Sequence, residues 1–341
     1  VDLVTAKAVN NITLGANKMD ISIQLGFAAK NYAETLSNVL TEQLKIKFKD
    51  QTINVDVQFK VEARSVQKGV KSIPNVKNTI AVASGKGGVG KSTTAINLAL
   101  ALAAEGANVG ILDADIYGPS QPRMLGSNAR PESKDGKSME PVECHGIQSM
   151  SIGYLIDDES PMVWRGPMVT QALGQLIKDT NWKDLDYLVI DLPPGTGDIQ
   201  LTLAQSVPVT GSIIVTTPQD IALLDARKGL KMFEKVEIPV LGIVENMSTH
   251  ICSECGHEES IFGVGGGKNM AEQYDIDLLG TLPLDISIRR GVDIGKPTVV
   301  ADPDGAITKI YHDIALKVTA KMSLLNRDYG SKFPNIVIQN T

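Results

Sequence analysis

The sequence has little of what would place it in a membrane, on nucleic acid or in an oxidising compartment. In 341 residues there are three cysteines and 4% aromatic residues, and the net charge is −6. No apolar run approaches the roughly 18 residues that a membrane-spanning helix needs. An acidic chain also lacks the basic face that nucleic-acid binding requires. Because few cysteines are typical of a reducing compartment, we expect a cytoplasmic protein with neither a membrane nor a nucleic-acid partner.

The first part of the chain has the pattern of a small α/β module. Strand-like alternation of apolar and polar residues at 19–27 and 53–59 flanks a helical pattern at 33–48. We therefore predict a small α/β module at residues 1–65 and a basic linker at residues 66–78. Residues 329–341 are predicted to be a C-terminal tail.

Residues 79–328 predict a larger α/β domain. Its candidate strands are short and continuously apolar: TIAVAS, NVGILD, DYLVID, GSIIVTT, VLGIVEN and LLGTLPL. Continuous apolar strands are buried on both faces, which predicts a mainly parallel sheet flanked by helices. In the last predicted helix we expect one apolar stripe to face the core rather than a partner or a membrane. Its members are Ile307, Ile310, Ile314, Val318 and Leu325.

A glycine-rich loop lies between the first of these strands and the helix that follows. The segment SGKGGVGKST fits the phosphate-binding pattern G-x4-G-K-S. Its glycines let backbone N–H groups turn toward phosphates, and the start of the helix adds partial positive charge. We predict that Lys91 binds the terminal phosphates and that the Ser92 hydroxyl ligates Mg²⁺. The predicted nucleotide-binding residues of the loop are Gly85, Lys86, Gly87, Gly88, Val89, Gly90, Lys91, Ser92 and Thr93.

Carboxylates end two of the predicted strands. Asp191 ends DYLVID, while Asp113 and Asp115 end and follow NVGILD. In a parallel sheet these residues lie at the carboxyl edge beside the phosphate loop. Asp191 is therefore expected to hold Mg²⁺ through water. Within residues 79–328 no Asn-Lys-x-Asp stretch is present to read guanine, which favours ATP over GTP.

Cys252 and Cys255 form a C-x2-C pair, and two thiolates at this spacing can face one metal. Three interpretations remain open from the residues alone. His250 and His257 could complete a zinc site within the chain, or two copies of the pair could hold one iron–sulfur cluster between two chains. The pair could also be a redox dithiol. Cys144 matches no motif and is expected to be structural.

Taken together, the motifs resemble those of the Mrp/ApbC iron–sulfur carrier ATPases. These proteins belong to the deviant Walker A group of P-loop ATPases, which includes MinD and ParA. The similarity runs to about Leu325, and the N-terminal part resembles the small iron–sulfur assembly module often fused to this family. The stretches that carry it are SGKGGVGKST, LDADIYGPSQP, VWRGPM, DYLVIDLPPGTGD, TTPQDIALLDARKG, ENMS and CSECGHEESIFGVGGG.

The resemblance implies roles for individual residues of the nucleotide site. Lys86 would cross a homodimer interface to the phosphates bound by the other subunit, where an added cation stabilises transition-state charge. Asp115 would orient the attacking water, with Asp113 near the metal. Asn246 would contact adenine.

The resemblance also favours one interpretation of the cysteines. A 4Fe–4S cluster would be held at the homodimer interface by Cys252 and Cys255 from each chain. The expected protein is then a slow ATPase that uses ATP and Mg²⁺ and passes its cluster to apo-proteins. Two other functions would lack the cluster: a MinD- or ParA-like switch, and a zinc-stabilised regulatory ATPase.

Overall fold

Two sheets and one short hairpin organise the computed structural model, which describes residues 1–156, 166–252 and 254–328. The strands are β1 (Val9–Leu14), β2 (Lys18–Leu25), β3 (Thr52–Phe59), β4 (Val76–Ala83), β5 (Val109–Asp113), β6 (Val142–Cys144), β7 (Ile147–Ser151), β8 (Leu185–Asp191), β9 (Gly211–Thr216), β10 (Val240–Glu245), β11 (His250–Ile251), β12 (Glu258–Glu259) and β13 (Leu278–Thr281). The helices are α1 (Lys30–Lys47), α2 (Lys91–Ala104), α3 (Gln121–Leu125), α4 (Gly166–Asp179), α5 (Asp198–Ser206), α6 (Asp220–Lys235), α7 (Gly266–Tyr274), α8 (Ile286–Asp293), α9 (Thr298–Ala301) and α10 (Ala306–Ser323).

The smaller sheet has the strand order β1-β2-β3 and lies in the N-terminal part of the chain. Strands β2 and β3 are parallel and are joined by α1, as the alternating segments predicted. Helix α1 packs Leu36, Leu40 and Leu44 on the apolar face of this sheet. Strand β1 was not predicted, because nearly all of its side chains are exposed and leave no apolar alternation to detect.

The larger sheet has the order β13-β10-β9-β4-β8-β5-β7-β6. Its strand pairs are parallel except that β6 is antiparallel to β7, so the predicted mainly parallel sheet is confirmed. Apolar clusters on both faces bury the central strands. Cys144 ends β6 at the hairpin turn and packs, partly buried, against the core, in agreement with a structural role.

Helix α10 packs beside α2 on one face of the larger sheet, and its predicted stripe does face the core. Ile314 and Val318 are fully buried, and Ile307 and Ile310 pack partly buried against the same cluster. Leu325, the last residue of the predicted stripe, lies past the end of the helix but also packs there. The apolar face of α10 is therefore buried inside the protein.

A buried carboxylate joins the N-terminal module to the end of α2. Glu105 is the C-cap residue of α2, and its Oε2 accepts a hydrogen bond from the backbone N–H of Asn31 at 3.0 Å. His312 Nδ1 lies 3.1 Å from Glu105 Oε1. Burial alone would raise the pKa of Glu105, but the hydrogen bonds from His312 and Asn31 outweigh it and hold the pKa below its usual value. The module is thus anchored to α10 and to the far end of α2.

The predicted domain limits remain predictions. Strand β4 begins at Val76, inside the stretch 66–78, and Gln67 in that stretch donates to the backbone oxygens of Ala204 and Val207. This segment therefore packs on the larger domain. The tail at 329–341 and the first part of VWRGPM, residues 163–165, lie outside the described residues.

Candidate functional site

The glycine-rich loop connects the end of β4 to the start of α2, as the motif predicted. Gly90 has φ +83°, a left-handed conformation that a residue with a side chain rarely adopts. At Gly85 an added Cβ would lie 2.1 Å from the carbonyl carbon of Asp225 in α6. The loop therefore runs too close to the backbone of α6 for any residue but glycine at this position.

Three hydrogen bonds hold the loop in place. Ser84 Oγ donates to the carbonyl of Lys86 at 2.9 Å, and Asn246 Nδ2 donates to the carbonyl of Val89 at 2.9 Å. The backbone N–H of Gly195, from the loop after β8, donates to Ser84 O at 2.9 Å. These contacts connect the loop to Asn246, which follows β10, and to the segment that follows β8.

Lys91 and Asp191 form a buried ion pair at the start of α2. The ammonium of Lys91 also donates to Ser92 Oγ at 3.1 Å. Asp191 is fully buried, and its other oxygen accepts from Gln121 Nε2 at 2.8 Å. The predicted phosphate ligand and the predicted metal ligand are therefore in contact, and each neutralises the other in this state.

Gln121 is a site residue that the sequence reasoning missed. It is 1% exposed, and its Nε2 also donates to the backbone oxygen of Ser92 at 3.2 Å. Its Oε1 is buried with no hydrogen-bond partner in the described part of the chain. The available signal was its position in LDADIYGPSQP, a polar residue shortly after the carboxylates that end β5.

Asp113 and Asp115 differ in their surroundings. Asp113 is fully buried and accepts hydrogen bonds from the backbone N–H groups of Ser120 and Gln121 and from Ser151 Oγ. Burial, and after it the charge of Asp191, raise the pKa of Asp113 to about 7. Asp115 is half-buried, and burial raises its pKa as well. Asp113 thus anchors α3 to β5, whereas Asp115 keeps contact with solvent.

The donor set at this edge fits a hydrated Mg²⁺ ion, which prefers oxygen ligands and keeps several waters. Ser92 Oγ and the carboxylate of Asp191 are both linked to Lys91 Nζ. The unpartnered Oε1 of Gln121 belongs to a side chain that already contacts Asp191. A buried oxygen without a partner costs free energy, and a metal-bound water would supply the missing donor.

Lys86 and Asn246 differ in their exposure to solvent. Lys86 is exposed, and its ammonium makes no ion pair within residues 1–156, 166–252 and 254–328. Asn246 is buried against Val89, so in this state its amide supports the loop. Thr93 is half-buried in the first turn of α2. The adenine contact of Asn246 and the role of Lys86 across a dimer remain predictions.

The cysteine pair lies in the turn between β11 and β12. Cys255 is exposed and Cys252 is half-buried, and both thiols are free. Backbone hydrogen bonds from Cys255 and Glu254 lower the pKa of Cys252. The turn closes through the N–H of Cys252, which donates to His257 O at 2.9 Å. Both thiols are therefore accessible from solvent on a short hairpin.

The structure does not assemble the zinc site considered from the sequence. In the part of the chain that the structure describes, no three His, Cys, Asp or Glu side chains are grouped so that they could hold a metal ion. His250 Nδ1 is instead 3.1 Å from the carbonyl oxygen of Leu284. A single chain thus offers two thiol ligands to a metal at this hairpin.

None of its described helices combines the length and hydropathy needed to cross a membrane.

Comparison with known proteins decides the family. A family model for ParA-type NUBPL iron-transfer P-loop NTPases matches residues 75–319. The chain belongs to this family. An iron–sulfur cluster carrier protein of Escherichia coli K12 is 53% identical over 322 residues, 94% of this chain and 87% of the relative. The mouse iron–sulfur cluster transfer protein NUBPL is 50% identical over 254 residues, 74% of this chain and 80% of its own. The resemblance stated from the motifs is confirmed.

Solved structures agree with the fold. A nucleotide-binding protein from Archaeoglobus fulgidus, solved with ADP, is 37% identical, with a TM-score of 0.60 over 68% of this chain and 90% of that chain. The cell division ATPase MinD of Pyrococcus furiosus has a TM-score of 0.54 at 21% identity, over 71% of this chain and 98% of its own. The second likeness is one of fold alone. Together they confirm the P-loop NTPase architecture.

Proposed function

We propose that this protein is an ATP-hydrolysing carrier that binds an iron–sulfur cluster and transfers it to apo-proteins. The main support for the proposal is that one chain combines a nucleotide-binding loop with an accessible pair of thiols. The thiol pair follows only a few residues after Asn246, whose side chain is hydrogen-bonded to that loop. Relatives that are half or more identical are named cluster carrier or cluster transfer proteins. Two solvent-accessible thiols suit a cargo that must be released.

The ATPase chemistry needs positioning and positive charge. Lys91 exchanges the carboxylate of Asp191 for the terminal phosphates, and the ordered loop N–H groups bind the remaining phosphate oxygens. Ser92 and Asp191 would hold Mg²⁺, which when bound adds positive charge at the phosphates. Asp115, half-buried at the same sheet edge, orients the attacking water. Asp113 holds the segment that carries Asp115, since its carboxylate accepts the Asp115 N–H at 3.2 Å.

A homodimer would complete both sites. A 4Fe–4S cluster takes four thiolate ligands, and one chain offers two. A partner related by two-fold symmetry would supply the other two. Lys86 is an exposed cation of the phosphate loop and would serve the partner's nucleotide. Two apolar side chains of α6 are also exposed: Ile221 and Leu224 are 64% and 54% exposed, in the turn of helix that precedes Asp225, whose backbone lies close to Gly85. Such a surface favours association with another protein surface.

Anaerobic reconstitution tests the proposal directly. The reduced protein is incubated with iron and sulfide, and its visible absorbance, iron, sulfide and zinc contents are measured. We expect an iron–sulfur spectrum and transfer to an apo-ferredoxin. A variant with both Cys252→Ala and Cys255→Ala should lose the cluster but keep ATP binding, whereas Cys144→Ala should keep both. A wild-type protein that binds only zinc, or hydrolyses ATP without taking up a cluster, would instead be a regulatory ATPase or a MinD-like switch.

A further inference from the structure

A hydrogen-bonded ladder runs from the nucleotide loop toward the cysteine hairpin. Between Asn246 and Cys252 there are only residues 247–251. This segment pairs with the loop that follows β13: the N–H of Leu282 donates to Glu245 O, and the N–H of Ser248 donates to Leu282 O. The N–H of Leu284 then donates to Thr249 O at 2.7 Å. Three backbone hydrogen bonds therefore join the two segments.

At its upstream end the ladder is locked to the nucleotide loop. Besides the Nδ2 contact to Val89, the backbone N–H of Asn246 donates to Thr216 O at 2.8 Å. A Cβ added at Gly90 would lie 2.1 Å from Asn246 Nδ2, which measures how tightly the amide fits against the loop. A shift of the loop at Val89 or Gly90 must therefore displace Asn246.

At the downstream end, one side chain ties the hairpin to the ladder. His250 Nδ1 lies 3.1 Å from Leu284 O, and because a carbonyl can only accept, the ring donates this hydrogen bond. Ile251 and Glu258 of the hairpin also line a cavity of about 720 Å³, together with Pro283 of the 282–284 loop. With open space on this side, the hairpin has room to tilt about its base.

We propose that His250 is a positioning residue that ties the cysteine hairpin to the 282–284 loop. Occupancy of the nucleotide loop then sets the position and accessibility of Cys252 and Cys255 through Asn246 and residues 247–251. This inference rests on the proposed function and adds a route by which ATP controls the thiols that hold the cargo.

Thiol alkylation of the reduced, cluster-free, full-length protein tests the route. Iodoacetamide labelling of each cysteine is followed by peptide mass spectrometry without nucleotide, with Mg-ADP and with a non-hydrolysable ATP analogue. In the wild type, the labelling rate of Cys252 and Cys255 should change with nucleotide by about five-fold or more, the low end of measured coupling between sites. Cys144 lies in β6, at the edge of the larger sheet away from β10 and β13, and as the internal reference it should not respond.

Three variants of the hairpin separate positioning from general damage. His250→Ala should bind the nucleotide analogue but lose the nucleotide dependence of labelling. His250→Asn should restore it, because an amide Nδ2 can donate to Leu284 O. His257→Ala, which removes the exposed histidine of the same hairpin, should behave as the wild type.

Two results would overturn the inference. One is a wild type that binds nucleotide without any change in labelling; the other is His250→Ala retaining the full response, as nucleotide-driven dimerisation alone would produce. Cluster uptake by the same preparations is scored separately. A protein that responds to nucleotide but takes up no cluster supports the route and rejects the carrier function, whereas cluster uptake without the response does the reverse.

Discussion

ATP binding has to break the ion pair between Lys91 and Asp191 that is present in the structure. The substitution Asp191→Asn removes the negative charge but keeps an oxygen that can accept from Gln121 Nε2. Lys91 then loses its direct ion-pair partner, and only the carboxylates of Asp113 and Asp115 remain near it until phosphate arrives. The variant should therefore bind ATP more tightly than the wild type when Mg²⁺ is absent.

The size of this effect follows from the ion pair. A hydrogen bond to a charged group contributes about 1.5–3 kcal/mol net. Because 1.4 kcal/mol is about tenfold in affinity, Mg²⁺-free ATP should bind roughly 10- to 100-fold more tightly to Asp191→Asn. The unliganded variant should lose a similar free energy of unfolding and regain it when ATP is added. Hydrolysis with Mg²⁺ should fall sharply, because the proposed metal ligand is gone.

Calorimetric titration with ATP in EDTA measures the affinity. Asp186→Asn is the matched control: it removes the same charge from a carboxylate that pairs with Lys77 at 2.7 Å, outside the nucleotide site. The control should bind Mg²⁺-free ATP as the wild type does. If Asp191→Asn binds it equally or more weakly than the wild type, the ion pair does not compete with phosphate and the reasoning is wrong.

Three further predictions concern the loop and the anchor of the N-terminal module. Gly85→Ala should abolish ATP binding because its Cβ would overlap the backbone of Asp225. Gly174→Ala in α4, where an added Cβ meets nothing within 4 Å, should bind ATP normally, and equal binding by both variants would contradict the close approach. Lys86→Ala should keep ATP binding but lose most ATPase activity, and undiminished hydrolysis would remove its role across the dimer. Because the folded-state pKa of Glu105 is lowered, its stabilisation is present above its usual pKa of 4.5 and is lost as pH falls through the folded value. Between about pH 3 and pH 6, the free energy of unfolding measured with urea should therefore fall less with acid in Glu105→Gln than in the wild type. Identical pH profiles of the two proteins would contradict this.

The fold of the larger domain could be predicted because its strands are buried on both faces. A segment such as DYLVID has no polar residue between its two terminal aspartates, and all seven residues of β8 are buried. Strand β1 could not be predicted because it lies at an edge with exposed side chains. The strands of the hairpin β6–β7 were not predicted, since they are only three and five residues long.

The nucleotide site was predictable where a motif fixes both residue type and spacing. Lys91, Ser92 and Asp191 are brought together as expected. Gln121 was not predicted as a site residue, because its contact with Asp191 depends on how α3 packs beside β8. No local sequence pattern encodes that packing. The contact of Asn246 with the loop joins residues far apart in sequence and likewise emerged only in three dimensions.

The cysteines mark the limit of what one chain can show. Spacing predicts that Cys252 and Cys255 can face one metal, but the number of ligands depends on what completes the site. The described residues supply no third ligand, so a partner chain has to supply the rest under the proposed function.

Mass measurement of the anaerobically reconstituted protein, by native mass spectrometry under non-denaturing conditions, tests the central claim most directly. The account predicts a dimer that carries one 4Fe–4S cluster between two chains, and its loss when Cys252 and Cys255 are both replaced by Ala. A monomer that carries a complete cluster and still transfers it to an apo-protein would contradict the account.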